Sequence, residues 1–375
     1  MFIWSLLLIL RYTVGSLFIL ILLPFSSFLK KRSAFEKEWG FHRVAETQFD
    51  VWFHVSSEGE LEQILPWLDN RILKGKKVLV LFTSPSLIHR ATQFHSPQKG
   101  LAFACFPLTL IFPFGKASLL SGKLPSEFFM VRYDFFPELL WVANHVERSV
   151  LLAGTLKGKQ TKVKRPLGHW WYLKIFSSFD KIFASTDGDK EGFKKLLETE
   201  SVEVESLDFR HGSILKRQRE KKNLESQPAF SEFLKESENY PWNKRLIFGS
   251  LWPSELDIFS ENFLKFIKKE NIFIFLAPHH LKGENWDQIE NFLIEFKNYG
   301  IQTALWKKDG ETPDFSRSQV ILCQVPGLLC EIYPFFGHAF IGGGHGRSIH
   351  SLLEPYWGGG HLYFGPKTHR STEFD

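Results

Sequence analysis

The run Val51-Trp52-Phe53-His54-Val55-Ser56, then a helical stretch from Glu60 to Asn70, then Lys77-Val78-Leu79-Val80-Leu81-Phe82, decides the fold. Neither apolar run alternates with polar residues as a half-wetted strand would. Continuous apolar strands separated by a helix point to a parallel sheet covered on both faces. The pattern continues outward through short strands at Leu101 to Cys105, Glu127 to Val131, Val150 to Ala153, Lys181 to Ala184 and Val202 to Glu205. Helices are expected over Pro137 to Val146, Leu167 to Phe179 and Asp187 to Leu197. The alternation stops near Arg210. Residues 212–242 are polar and charged, hold Pro228 and Pro241, and read as an inter-domain connection with one or two helices. It then restarts, with strands at Arg245 to Phe248, Ile272 to Ala277, Gln302 to Trp306, Gln319 to Gln324, Ala339 to Gly342 and Leu362 to Phe364.

The expected organisation is therefore an anchor over 1–29, a Rossmann-like domain over 40–211, a connection over 212–242 and a second Rossmann-like domain over 243–375. A chain of 375 residues suits two α/β domains of about 150 residues each. A formal charge of +5 is far from the basicity of a dedicated nucleic-acid binder, so no nucleic-acid partner is expected. Cys105, Cys323 and Cys330 have no metal-ligand spacing and read as buried, reduced thiols.

Tyr12 to Leu29 contains no charged residue, and Phe2 to Leu10 is also apolar, with only Arg11 between. Eighteen uncharged residues just span a hydrocarbon core. Lys30-Lys31-Arg32 follows at once, which places the rest of the chain in the cytoplasm. Pro24-Phe25-Ser26-Ser27 is a poor cleavage site, so the reading is an uncleaved anchor, with a tilted interfacial helix as its rival.

Five stretches could carry chemistry. Ser56-Ser57-Glu58-Gly59-Glu60 lies just beyond the first strand, where ligands of parallel sheets gather. Glu60 either presents a carboxylate there or merely complements the helix dipole, worth about 0.3–1 kcal/mol. Gly342-Gly343-Gly344-His345-Gly346-Arg347-Ser348-Ile349-His350-Ser351 lets the backbone approach a phosphate, with Glu354 placed to accept from ribose hydroxyls. It is not the dinucleotide-binding fingerprint. Gly249-Ser250-Leu251-Trp252-Pro253-Ser254-Glu255 is another strand-to-helix loop, in which Ser254 could cap a helix and Ser250 could meet a phosphate. His279-His280 point to opposite faces if extended, a poor metal pair. Lys157 to Arg165 holds five cations and no acid, then come His169-Trp170-Trp171-Tyr172. It reads as a solvated run or as contact with an anionic lipid surface, through Lys162, Lys164, Arg165, Trp170 and Trp171.

On these motifs the chain resembles the 3-deoxy-D-manno-octulosonic acid (Kdo) transferases of lipopolysaccharide biosynthesis. Ala339-Phe-Ile-Gly-Gly-Gly-His-Gly-Arg-Ser-Ile-His-Ser-Leu-Leu-Glu-Pro355, followed by Phe364-Gly365-Pro366, carries most of the resemblance. Ser57-x-Gly59-Glu60, Gly249-Ser250-x-Trp252-Pro253 and Asp208-x-Arg210 support it. The resemblance implies a GT-B fold, two Rossmann-like domains facing a cleft. The first would hold a lipid A precursor at the bacterial inner membrane and the second the CMP-Kdo donor. It implies inversion at the anomeric carbon, no cofactor and no metal. Glu60 would be the base, with Ser57 and Asp134 on the acceptor side. Arg210, Ser250, His279, Gly343, Gly344, Gly346 and Ser351 would lie near the CMP phosphate and Glu354 near its ribose. The chain departs from the family at Asp134-Phe135-Phe136-Pro137-Glu138, Pro278-His279-His280, Ser351 and Ala153 to Lys157, and the family continues for several helices beyond the equivalent of Asp375. Two other readings stay open: a GT-B transferase for another nucleotide-sugar, and an inactive membrane-bound relative that only binds.

Overall fold

The computed structural model describes residues 2–108, 123–156, 163, 165–307, 313–346 and 348–368. Two compact units part between Arg210 and His211.

The first unit is built on seven parallel strands: β1 (Val51–Val55), β2 (Val78–Phe82), β3 (Leu101–Cys105), β4 (Glu127–Val131), β5 (Arg148–Gly154), β6 (Lys181–Ala184) and β7 (Glu203–Ser206). Their order is β3-β2-β1-β4-β5-β6-β7. Every residue of β1, β2 and β3 is buried, as their unbroken apolar character requires. Alternate residues feed two cores. Trp52, Leu79, Leu81, Phe128 and Met130 enter one, beneath Phe176 and Phe193. Phe53, Val80 and Phe129 enter the other, beneath Leu61, Ile64 and Leu68 of the helix Glu58–Leu73.

The second unit carries six parallel strands: β8 (Arg245–Leu251), β9 (Phe273–Pro278), β10 (Thr303–Trp306), β11 (Val320–Cys323), β12 (His338–Ile341) and β13 (His361–Phe364). The order is β10-β11-β9-β8-β12-β13. Both sheets and their covering helices match the two Rossmann-like repeats expected from the sequence.

Two expectations change. The stretch read as a connection with one or two helices forms three, Arg210–Glu220, Lys222–Glu225 and Phe230–Glu238, and from His211 on it belongs to the second unit. Leu224, Ala229, Phe233 and Tyr240 sit in its core, and the buried Glu331 carboxylate accepts from Leu224 N–H at 2.8 Å. Widely spaced apolar residues in a charged background concealed that inner face.

The uncharged span 12–29 is likewise not one helix. The apolar helix lies earlier, as Phe2–Leu10 and Ser16–Leu22 joined by a π turn, and ends before Pro24, which has no N–H to continue it. Ile3–Leu22 is long and apolar enough to cross a membrane. One stripe of it, Trp4, Leu8 and Tyr12, is buried. Trp4 donates to Ser178 Oγ at 3.0 Å, and Arg11 pairs with the buried Glu138 and donates to Pro107 O at 2.9 Å. Leu6, Ile9, Leu17 and Phe18 are exposed on the remaining surface. Arg32, the last cation of the Lys30-Lys31-Arg32 run, is buried and donates to the Phe106 carbonyl at 2.6 Å and to the Thr83 carbonyl.

Candidate functional site

Each sheet has one place where neighbouring strands run outward in opposite chain order, and ligands of open α/β sheets bind beyond the carboxyl ends there. In the first unit this is the β1/β4 boundary. Beyond β1 lies Ser56-Ser57, and Ser57 caps the helix Glu58–Leu73 by accepting from Glu60 N–H at 3.4 Å. The Glu60 carboxylate turns back, and its Oε2 accepts from Ser56 N–H at 2.7 Å and Ser56 Oγ at 2.8 Å. Its Oε1 makes no hydrogen bond among the described residues.

Glu60 is only 7% exposed. Burial raises its pKa, opposed by the two Ser56 hydrogen bonds and by the Arg132 charge, while Asp134 pushes it up further. Glu60, in the first turn of the helix that Ser57 caps, thus keeps a carboxylate of raised proton affinity at the strand ends.

Beyond β4, Arg132 has φ +60° and Asp134 follows. Asp134 accepts from Thr83 Oγ1 at 3.0 Å, and Thr83 in turn lies 3.1 Å from His54 Nε2. Since the Thr83 hydroxyl proton goes to Asp134, His54 donates from Nε2. Burial takes the His54 pKa down to about 3, so the ring is neutral, and its Nδ1 is a buried acceptor with no hydrogen-bond partner among the described residues. Burial also raises the Asp134 pKa.

In the second unit the reversal lies between β8 and β12. Ser250, at the end of β8, is held at φ +55°. Gly342 follows β12, and a Cβ there would stand 2.1 Å from the Ser250 carbonyl oxygen. Gly343 takes φ +93° and donates from N–H to Glu255 Oε1 at 2.9 Å. Glu255 Oε2 also accepts from Trp252 N–H at 3.1 Å, so one buried carboxylate ties the β8 loop to the glycine loop. The N–H groups of Gly344 and His345 make no hydrogen bond among the described residues.

His279 follows β9 and stacks on Trp252 at 4.5 Å and on His350 at 4.3 Å, with His280 edge-on at 4.7 Å. Burial, then His350 and His280, lower the His279 pKa to about 4. A cavity of about 240 Å³ adjoins this stack, lined in part by Pro278, His279, Val325 and Gly327. A larger one, about 510 Å³, is lined by Leu246, Phe248, Phe263, Phe266 and Phe340, and none of the expected donor residues borders it.

The structure therefore brings Ser57, Glu60 and Asp134 to one strand-end region, and Ser250, His279, Gly343, Gly344 and Gly346 to another. Ser351 Oγ accepts from Leu353 N–H at 3.3 Å, just ahead of the short helix Leu353–Trp357 on which Glu354 lies. Arg210 closes on Asp208, with Nη2 to Oδ2 at 2.7 Å. Trp170 and Trp171 are exposed, and Trp171 meets Trp4 edge to face at 5.7 Å, so the aromatic cluster and the N-terminal helix share a surface with the exposed Arg165. Lys162 and Lys164 lie outside the described residues. Among the described residues no group of three or more His, Cys, Asp or Glu side chains could hold a metal.

Sequence reasoning missed Glu255 and Arg132. The signal for Glu255 was its place three residues after Trp252, where a carboxylate reaches back to the start of a helical turn.

Residues 29–206 match the family model described as 3-deoxy-D-manno-octulosonic-acid transferase (kdotransferase). The chain is 24% identical over 329 residues to the 3-deoxy-D-manno-octulosonic acid transferase of Aquifex aeolicus, covering 86% of this chain and 78% of that one. Among solved structures, it is similar to Glycyrrhiza uralensis UGT73P12 complexed with glycyrrhetinic acid 3-O-monoglucuronide. That match has a TM-score of 0.50 and 10% identity, over 85% of this chain and 77% of the other. It is also similar to UDP-N-acetylglucosamine 2-epimerase from Rickettsia bellii, at TM-score 0.42 and 14% identity, over 85% of each chain. The fold is GT-B.

Proposed function

We propose that the chain, which is similar to Kdo transferases over residues 29–206 and to the Aquifex aeolicus enzyme over 329 residues, transfers Kdo from CMP-Kdo to a lipid A precursor, with inversion at the anomeric carbon. The observation that carries this reading is Glu60, a buried carboxylate of raised proton affinity at the carboxyl ends of the first sheet. Glu60 removes the proton of the acceptor hydroxyl as that oxygen attacks the anomeric carbon. The transition state resembles an oxocarbenium ion, and one carboxylate suffices to activate the nucleophile.

The second unit holds the departing nucleotide. Charge grows on its phosphate as the glycosidic bond breaks, and the Gly344 and His345 N–H groups and the Ser250 hydroxyl are fixed donors for it. Glu255 holds this loop in place before the donor arrives. The imidazoles of His279 and His350 complete the donor side, Glu354 meets the ribose, and the step draws on no resident metal. The exposed face of Ile3–Leu22, with Trp170, Trp171 and the Lys157 to Arg165 stretch, sets the enzyme on the cytoplasmic face of an anionic membrane where the acceptor lies.

The test is transfer of Kdo, from CMP-Kdo generated in situ, to a tetra-acylated lipid A precursor, with Glu60→Ala alongside. Wild type forms product, and the variant loses about 10²–10⁴-fold in rate. No wild-type product despite CMP binding sinks the proposed reaction, and product from another nucleotide-sugar then reassigns the donor. Undiminished turnover by Glu60→Ala sinks the base.

A further inference from the structure

Arg132 is the charged group of the first site that the proposed reaction leaves without a task. It stands directly beyond β4, beside Glu60 and Asp134, and its charge acts on Glu60 and Tyr133. Its Nε is buried with no hydrogen-bond partner among the described residues. No ion pair joins it to Glu60 or Asp134 among those residues. Its guanidinium carbon lies 6.0 Å from the centre of the Tyr133 ring. A guanidinium whose charge acts on Glu60, yet which is bonded to no carboxylate among the described residues, has its donors available for another oxyanion.

The backbone supports the same reading. Arg132 sits at φ +60°, a region that costs a side-chain-bearing residue of its kind strain, and such strain gathers at ligand sites. The Arg132 N–H still donates to Leu152 O at 3.0 Å, so the sheet holds the residue in that conformation. The neighbouring strand ends likewise, with buried Ala153 at φ +52°. With Glu60 and Asp134 alone the region would repel an anionic substrate. Arg132 reverses that locally.

We propose that Arg132 forms an oxyanion subsite beside Glu60, taking a carboxylate or phosphate group of a substrate and so fixing its position against the base. The proposal rests on the transferase reading for the identity of that substrate, where the oxyanion is either the carboxylate of the transferred sugar acid or a phosphate of the acceptor.

Full-length Arg132→Met, Arg132→Lys and Arg132→Gly are compared with wild type in the transfer assay. In Arg132→Met the KM for one substrate rises about tenfold or more while kcat changes less, as expected for loss of a charge-assisted contact. Arg132→Lys recovers part of that KM. Arg132→Gly, which accepts the left-handed backbone without strain, shows the same KM defect with a melting temperature no lower than wild type. A rise confined to the acceptor identifies its phosphate, and a rise confined to the donor identifies the sugar carboxylate. KM values within twofold of wild type for both substrates in Arg132→Met overturn the proposal. If wild type transfers nothing, the transferase reading fails separately. Calorimetric titration with inorganic phosphate and with free Kdo then decides the subsite: binding that Arg132→Gly loses upholds it, and equal or absent binding overturns it.

Discussion

Gly342 and Gly346 belong to one motif but should respond oppositely to an added methyl group. At Gly342 a Cβ would meet the Ser250 carbonyl oxygen at 2.1 Å, the Ser250 carbonyl carbon at 2.7 Å and Glu255 Oε2 at 2.8 Å. Two of those atoms are backbone, and Glu255 is pinned by two N–H groups, so none can step aside cheaply. Relief requires β8 and β12 to part at the Gly342 N–H to Gly249 O bond, now 2.8 Å. Overpacking of about 1–3 kcal/mol or more, one lost backbone bond of about 1 kcal/mol and a weakened Glu255 link together give roughly 3–5 kcal/mol. At about 2–4 °C per kcal/mol for a unit of this size, Gly342→Ala should melt roughly 6–20 °C lower. At Gly346 the nearest atom to a Cβ is the Gly343 carbonyl oxygen at 3.6 Å, an ordinary contact. Gly346→Ala should keep the wild-type melting temperature and, if the proposed phosphate site lies at this loop, lose nucleotide affinity. The assay is thermal unfolding of the two variants beside wild type, with CMP titration. Equal melting temperatures for Gly342→Ala and wild type would refute the reasoning from packing. Unchanged CMP affinity in Gly346→Ala would refute the placing of the phosphate.

Ser56→Ala removes a hydrogen bond that favours the Glu60 carboxylate, so the Glu60 pKa rises and the acid limb of kcat/KM moves to higher pH, while activity above that limb persists. A limb that stays in place, or moves to lower pH, removes Glu60 as the group that titrates. Trp4→Ala should destabilise the first unit by about 3–5 kcal/mol, because Trp4 is buried and bonded to Ser178, whereas Leu17→Ala should leave stability unchanged and weaken attachment to anionic vesicles. If Trp4→Ala melts like wild type, the helix does not pack on the unit as described.

The strands were legible because each is apolar along its whole length. Val51–Val55 and Val78–Phe82 could only be central strands of a covered sheet, and both are fully buried. Phe233 was not legible in the same way. It stands among Ser231, Glu232, Lys235 and Glu236, and only the tertiary structure shows that its face of the helix fills a core. The N-terminal helix ends before Pro24, a stop that the absence of charge from Tyr12 to Leu29 does not reveal. Trp4, Leu8 and Tyr12 recur every four residues, a stripe that lipid does not require and a protein surface does.

The two sites were legible as loops and illegible as charge arrangements, for a reason that is the same in both sheets. Strand ends at the chain reversal are found from the order of apolar runs, which is how Glu60 and the glycine loop were found. What makes those ends usable is supplied from outside the run: Glu255 comes from a short helical turn, Arg132 from the far side of the reversal. Both are polar residues in polar surroundings, where sequence offers no contrast. The backbone does mark them. Of the six side-chain-bearing residues at positive φ among the described residues, Arg132, Ala153 and Ser250 belong to the carboxyl ends of β4, β5 and β8. Strain of about 1–3 kcal/mol at each persists only where the surrounding sheet over-determines it. Its recurrence at strand ends in both units ties Arg132 to the same kind of position as Ser250, and gives the oxyanion subsite its backbone argument independent of charge.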